Sequence, residues 1–190
     1  MVWSTLQVAA MVELVLCWFA WSLAFIKPSR EARGQKKAVR APASRWGIFL
    51  VTLGFACSWA YVKPRGFAKP APELVASMIV APLALWLVYA ATRHLGKQWR
   101  YEAALSEDHN LITTGPYSWL RHPIYASMLG MLLATLLAWT WWPMLLASLA
   151  FFVAGTEIRV HAEERLLAQR FPAEYAAYRQ RTRAYIPFIR

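Results

Sequence analysis

Residues 124–158 read IYASMLGMLLATLLAWTWWPMLLASLAFFVAGTEI. Two apolar runs, Ile124 to Trp139 and Trp142 to Ile158, are separated only by the turn at Trp139-Thr140-Trp141-Trp142-Pro143. Each is close to the length that crosses a hydrocarbon core of about 30 Å, and the turn carries the aromatic residues that favour a membrane–water boundary. The stretch predicts a tight helical hairpin in a membrane. The same criterion applied upstream finds three more spans, Trp3 to Ile26, Trp46 to Val62 and Glu73 to Ala91. The expected fold is therefore all-α: a single polytopic domain over residues 1–190 with five transmembrane helices (3–26, 46–62, 73–91, 124–139 and 142–158) and a C-terminal helical cap.

Composition agrees with a membrane and excludes an ordinary soluble domain, because 58% of the residues are apolar and 11 are Trp. A net charge of +11 would suit a nucleic-acid binder if it lay on one soluble face, but here it lies between the apolar blocks. Lys and Arg number seven in segment 27–45, four in 93–122 and seven in 159–190, against three (Lys63, Arg65 and Lys69) in 63–72. Cytoplasmic loops carry the excess of positive charge, so the first three segments are expected on the cytoplasmic side and Met1 outside it. The N-terminal run lacks a basic region and a small-residue cleavage site, so it reads as a retained span. Cys17 and Cys57 fall inside apolar stretches and encode neither a disulfide framework nor a zinc site, and no metal is expected.

Segment 27–45, with Pro28, Gly34 and Pro42 among its charges, reads as a solvated loop without chemistry. Segment 93–122 instead mixes ionisable, aromatic and turn residues, from His94, Gly96, Trp99 and Glu102 to Asp108-His109-Asn110, and reads as a structured loop leading into the fourth span. In the tail, Leu167, Phe171, Tyr175 and Tyr178 recur on one helical face, and Pro172 can open a new helix, so two short helices are expected with a break near Phe171. Pro82 is expected to kink the third span. A carboxylate at Glu13, midway along the first span, is costly and is expected to face the protein interior or a cavity.

Two constellations stand at the cytoplasmic ends of the hairpin. One is Gly115-Pro116-Tyr117 followed by Arg121-His122-Pro123-Ile124-Tyr125; the other is Glu157, Arg159, His161, Glu163 and Glu164, where Arg159 and Glu163 are four apart and can pair on a helix. Together with Leu166 or Leu167, Phe171, Glu174, Tyr175, Tyr178 and Pro187, they resemble the isoprenylcysteine carboxyl methyltransferase family and its relatives, the phospholipid N-methyltransferases. The shared pattern is G-P-Y, R-H-P-x-Y and E-E-x-x-L across a helical hairpin, and the likeness covers roughly His94 to Pro187. This chain departs from it at Ser127, where many members have glycine, and at Phe171-Pro172.

The resemblance implies S-adenosyl-L-methionine as cofactor, bound in a cytoplasmic region made of 93–123 and 157–190. Carried over by position, its cofactor-binding candidates are His109, Leu111, Gly115, Tyr117, Arg121, His122, Pro123, Tyr125, Glu163 and Glu164. Such a cofactor presents hydroxyls, an amino group, a carboxylate and a sulfonium, and so calls for carboxylates, a cation and aromatic faces. Methyl transfer is an in-line displacement that needs positioning and water exclusion rather than a nucleophilic side chain. Candidate catalytic residues are Arg121, Arg159 and Glu163: either arginine could hold an acceptor carboxylate, whereas an amine acceptor would require a base such as Glu163 or His122. The acceptor is expected to be lipid-like and to enter from the bilayer of a bacterial inner membrane, with the active site facing the cytoplasm. Two other readings predict different behaviour: an NADPH-dependent membrane lipid reductase would need more spans and more basic residues, and a non-catalytic scaffold would bind no ligand.

Overall fold

The computed structural model describes residues 4–26, 38–40, 44–60, 67–96, 104–106 and 110–185. Six α-helices run through them: α1 (Thr5–Leu23), α2 (Ser44–Trp59), α3 (Ala71–Leu95), α4 (Pro123–Ala138), α5 (Trp142–Arg170) and α6 (Pro172–Arg181). Local chemistry sets most of the boundaries. Ser4 caps α1 by accepting from the Gln7 amide, and α3, α4, α5 and α6 each carry proline in the first two positions, where its missing N–H costs no hydrogen bond. Gly96, at φ 52°, ends α3. Pro82 lies inside α3, which is continuous around it.

Side-chain hydrogen bonds fix how the helices run. Gln7 of α1 donates to the Ala138 carbonyl at the end of α4, while Trp21 further along α1 donates to Ser127 near its beginning. Ser77 reaches the Ala134 carbonyl and Ser127 the Ala84 carbonyl, so α3 and α4 are antiparallel, and Thr140, just before α5, reaches the Ser58 carbonyl near the end of α2. Direction therefore alternates from α1 to α5, with the starts of α2 and α4 and the polar end of α5 gathered at one end. Segments 27–45 and 93–122 meet there too, through an antiparallel ribbon of β1 (Ala38–Arg40) and β2 (Ala104–Ser106). The ribbon is a small addition to the all-α fold, and it pairs part of the segment that reads as a solvated loop at 27–45. Three paired residues per strand are too few to leave a periodic signal.

Among the described residues three helices, α1, α3 and α5, are long and apolar enough to cross a membrane. The other two expected spans are shorter: α2 and α4 have 16 residues each, a rise of roughly 24 Å against a hydrocarbon core of about 30 Å. With 29 residues α5 rises roughly 44 Å, so its second half, from Glu157 on, extends past the core. Large apolar side chains stand exposed on the outer faces of α1 and α3, among them Leu16, Phe19, Leu83 and Trp86, as lipid contact allows and water would not. The chain is an integral membrane protein.

Inside, Leu14 and Trp21 of α1 pack with Ala81 and Val88 of α3 and Met131 of α4. Glu13 is half-buried between Gln7 and Trp18, which contact Ala138 and Thr135, so it lies toward the end opposite Arg121. The hairpin is tight only at its turn. Rather than packing along each other, α4 lies along α3 and α5 along α2, and they meet mainly through Val51, Leu132, Leu136 and Phe152. Backbone proximity explains the choice of partner, because a Cβ on Gly155 would stand 2.6 Å from the Gly47 carbonyl oxygen and one on Gly54 2.8 Å from that of Ser148. Small residues let helices approach this closely in a membrane. Gly155→Val is accordingly expected to destabilise the protein by about 1–3 kcal/mol through overpacking, read as a lower midpoint of unfolding in detergent.

Candidate functional site

The site is built from four pieces that converge at one end of the helices: the loop before α4, the start of α4, the polar half of α5, and the tail. The loop turns through a 3-10 helix, Gly115–Ser118, that begins at Gly115 with φ 60°. The His94 ring lies against the Gly115 α-carbon where a Cβ would collide with it, so both the backbone angle and the space call for glycine. Tyr117 is buried behind this turn, and its carbonyl accepts from the Tyr178 hydroxyl of α6 at 2.6 Å. Leu111 is half-buried in the preceding loop, and His109 lies outside the described residues.

Arg121 and His122, just before α4, face Glu163 and Glu164 of α5. Arg121 Nε donates to Glu164 Oε1 at 2.9 Å, and its Nη1 donates to the backbone carbonyls of Thr182 and Arg179 at the end of α6. Its guanidinium is thus taken up in fastening the tail to the helices. His122 Nδ1 lies 3.3 Å from Glu163 Oε2, and its Nε2 lies 3.5 Å from Glu164 Oε1 without a hydrogen bond. Pro123 is buried and starts α4, which brings Tyr125 one turn further in.

There the second cation sits. Tyr125 donates to Glu163 Oε1 and accepts from Arg159 Nε at 2.7 Å; the guanidinium carbon lies 5.4 Å from the Tyr125 ring centroid, and Arg159 Nη2 is 3.7 Å from Glu163 Oε1. Arg159 is 8% exposed, whereas the Glu163 side chain keeps 27% of its surface open, so the glutamate is the member of this trio that faces accessible space.

The tail closes one side. After α6, residues 182–185 run alongside 119–122, with Arg121 N donating to Arg183 O at 2.7 Å and His122 N to Ala184 O at 2.8 Å. Ala184 and Tyr185 are buried against Tyr125 and Val160, filling the space between the splayed α4 and α5, and Tyr185 donates to Glu157 at 2.6 Å. The break between the last helices falls at Phe171, but the first of them is the unbroken continuation of α5. Between α5 and α6 a cleft of about 670 Å³ is floored by Glu164 and Tyr175 and rimmed by His161, Arg165, Arg179 and Gln180. Among the described residues the buried Tyr175 hydroxyl has no hydrogen-bond partner.

Electrostatics follow from this packing. Burial, and then Glu163, push the Tyr117 hydroxyl far above its ordinary pKa, and burial with Glu164 does the same for Tyr175, so both stay neutral donors. Burial alone would lower the pKa of His122, but Glu163 and Glu164 outweigh it and hold the imidazolium above the ordinary histidine value. Stability from such a group is complete below about pH 6.5 and is lost as pH rises through the raised value. Unfolding measured in detergent across that window is expected to show stability falling with pH in the wild type, with a flatter profile in His122→Gln.

Of the candidates, Arg121, His122, Pro123, Tyr125, Arg159, Glu163 and Glu164 lie together in one cluster, Tyr117 and Gly115 shape the loop beside it, Leu111 leads into that loop, and His109 lies outside the described residues. Sequence reasoning missed Ser44 and Gly47 of α2, which touch Arg159, and the α6 rim of Arg179 and Gln180; it also treated Ser127 only as a departure. Ser127 is fully buried and joins Trp21 of α1 to the Ala84 carbonyl of α3.

Fold and site together define an integral membrane protein of antiparallel helices whose buried arginine–histidine–glutamate cluster is sealed by a C-terminal tail. Residues 75–169 match the isoprenylcysteine carboxyl methyltransferase (ICMT) family, and the chain belongs to it. A protein-S-isoprenylcysteine O-methyltransferase of Saccharomyces cerevisiae is 36% identical over 88 residues, 43% of this chain and 34% of that protein. One from Tribolium castaneum is 34% identical over 93 residues, 44% and 30% respectively. The cobalt-zinc-cadmium resistance protein CzcN of Cupriavidus metallidurans is 35% identical over 82 residues, 43% and 37%. The matched region spans about a third of the length of these curated relatives.

Proposed function

We propose that the protein transfers a methyl group from S-adenosyl-L-methionine to a carboxylate on a lipid-like acceptor, with the site on the cytoplasmic side of a bacterial inner membrane and all five long helices traversing the bilayer. The observation that carries the reading is the buried trio of Arg159, Tyr125 and Glu163: an anionic acceptor that enters beside the more open Glu163 meets a guanidinium already aimed by two partners. Family membership and the names of the two eukaryotic relatives support the same reaction.

The residues fit the cofactor. Glu164 and the unpaired Tyr175 hydroxyl at the floor of the cleft suit its amino and hydroxyl groups, and the Arg165 and Arg179 rim suits its carboxylate. When bound, S-adenosylmethionine supplies an electrophilic methyl on a sulfonium. An acceptor carboxylate can take it without first losing a proton, so no general base is needed. Arg159 orients the acceptor oxygen, Tyr125 and Glu163 hold Arg159, and the tail at Ala184 and Tyr185 excludes water. An amine acceptor fits less well, because His122 is held toward its protonated form and Glu163 already accepts from Tyr125. Calorimetry on the detergent-purified protein tests the cofactor: micromolar binding of S-adenosylmethionine is expected, and binding of NADPH in its place would overturn the reading.

A further inference from the structure

Arg159 touches more than its own half of the protein. The match to the family begins at residue 75, and α2 lies wholly before it. Yet the first turn of α2 meets the guanidinium: Ser44, fully buried, accepts from Arg159 Nη1 at 3.4 Å, and a Cβ on Gly47 would stand 2.5 Å from Arg159 Cγ and 2.7 Å from the Gly155 carbonyl oxygen. The aliphatic stem of Arg159 therefore lies in a notch that exists only because residue 47 has no side chain. With the stem fixed there, Nε points to Tyr125, Nη2 to Glu163 and Nη1 to Ser44. Tyr125 and Glu163 come from inside the matched region, and the third support comes from outside it.

We infer that Ser44 and Gly47 are positioning residues for Arg159, so that α2 sets the angle at which the guanidinium meets an acceptor carboxylate. The link to the acceptor rests on the proposed function, whereas the positioning itself does not. An arginine side chain has several rotatable bonds, and confining its stem keeps the planar fork pre-organised for two-point recognition. A displacement of about 1 Å at such a group can cost about a hundredfold in rate.

Two readouts on the full-length protein test the inference. Ser44→Ala, which removes one oxygen and adds no bulk, is expected to raise the acceptor KM about fivefold, the effect of losing one ordinary hydrogen bond, while the dissociation constant for S-adenosylmethionine stays unchanged. In an Arg159→Lys background the same substitution is expected to have no further effect. The second readout needs no activity: the Arg159 Nε–H signal in nitrogen-15 spectra, assigned by its loss in Arg159→Lys, is expected to exchange with solvent faster in Ser44→Ala. Unchanged exchange together with an unchanged acceptor KM overturns the inference, as does an equal effect of Ser44→Ala in both backgrounds. If the wild type methylates no acceptor, the proposed function fails, and the exchange rate alone decides the positioning.

Discussion

Arg159→Ala is expected to lower methyl transfer about 10²–10³-fold while leaving S-adenosylmethionine affinity within about twofold of wild type. Arg159 is removed from the cleft between α5 and α6, which is lined by Glu164, Tyr175 and Arg179, and it faces Tyr125 and Glu163 instead. Its loss therefore strips orientation from the acceptor and leaves the lining of the cleft in place. Arg159→Lys keeps the charge but gathers its N–H groups on one atom, where Arg159 directs three separate nitrogens at Tyr125, Ser44 and Glu163, so it is expected to recover only part of the rate. The check is a steady-state rate with varied acceptor, set beside a calorimetric titration of the cofactor.

The second large effect is on the fold. Glu164 accepts from Arg121 across a pair whose side chains are 10% and 6% exposed. Truncating it leaves a buried guanidinium without its carboxylate, at a cost of about 3–5 kcal/mol, and weakens the clasp that holds the tail. Glu164→Ala is expected to lower the unfolding midpoint sharply and to release residues 182–185 to protease. Glu164→Gln keeps an acceptor for Arg121 Nε and is expected to restore much of the stability but not cofactor binding, since the charge at the floor of the cleft is gone. Unfolding and binding measured on the two variants separate the structural part of the role from the ligand part.

How far these features could be read from the sequence depends on how local their causes are. Helix starts at Pro123, Trp142 and Pro172 were legible because proline fixes its own backbone angle, and the break at Phe171 follows from the same residue. That Arg121 and His122 share a site with Glu163 and Glu164 was legible only as a joint pattern across two helices, since each piece alone is ordinary helix-end decoration, and their direct pairing was not. The choice of helix partners was not legible. It depends on Gly47, Gly54 and Gly155 meeting across α2 and α5, and on Ala84 meeting Gly130 across α3 and α4, contacts between positions far apart in sequence. Nor could the sequence show what Arg121 does, because it donates to the Thr182 and Arg179 carbonyls, and every residue has a carbonyl. Ser44 was hidden for a related reason: it stands at the end of a charged segment that reads as solvated, and only the tertiary fold brings it to Arg159.

The most direct test of the account is the fate of the methyl group. The purified protein is given methyl-labelled S-adenosylmethionine and, in separate reactions, an S-prenylated cysteine with a free carboxyl group, its methyl ester, and a phosphatidylethanolamine. The account predicts label on the free acid alone, in a form that mild alkali releases as an ester would. Label on the phosphatidylethanolamine amine, or no transfer to any of the three from a protein that binds the cofactor, would contradict it.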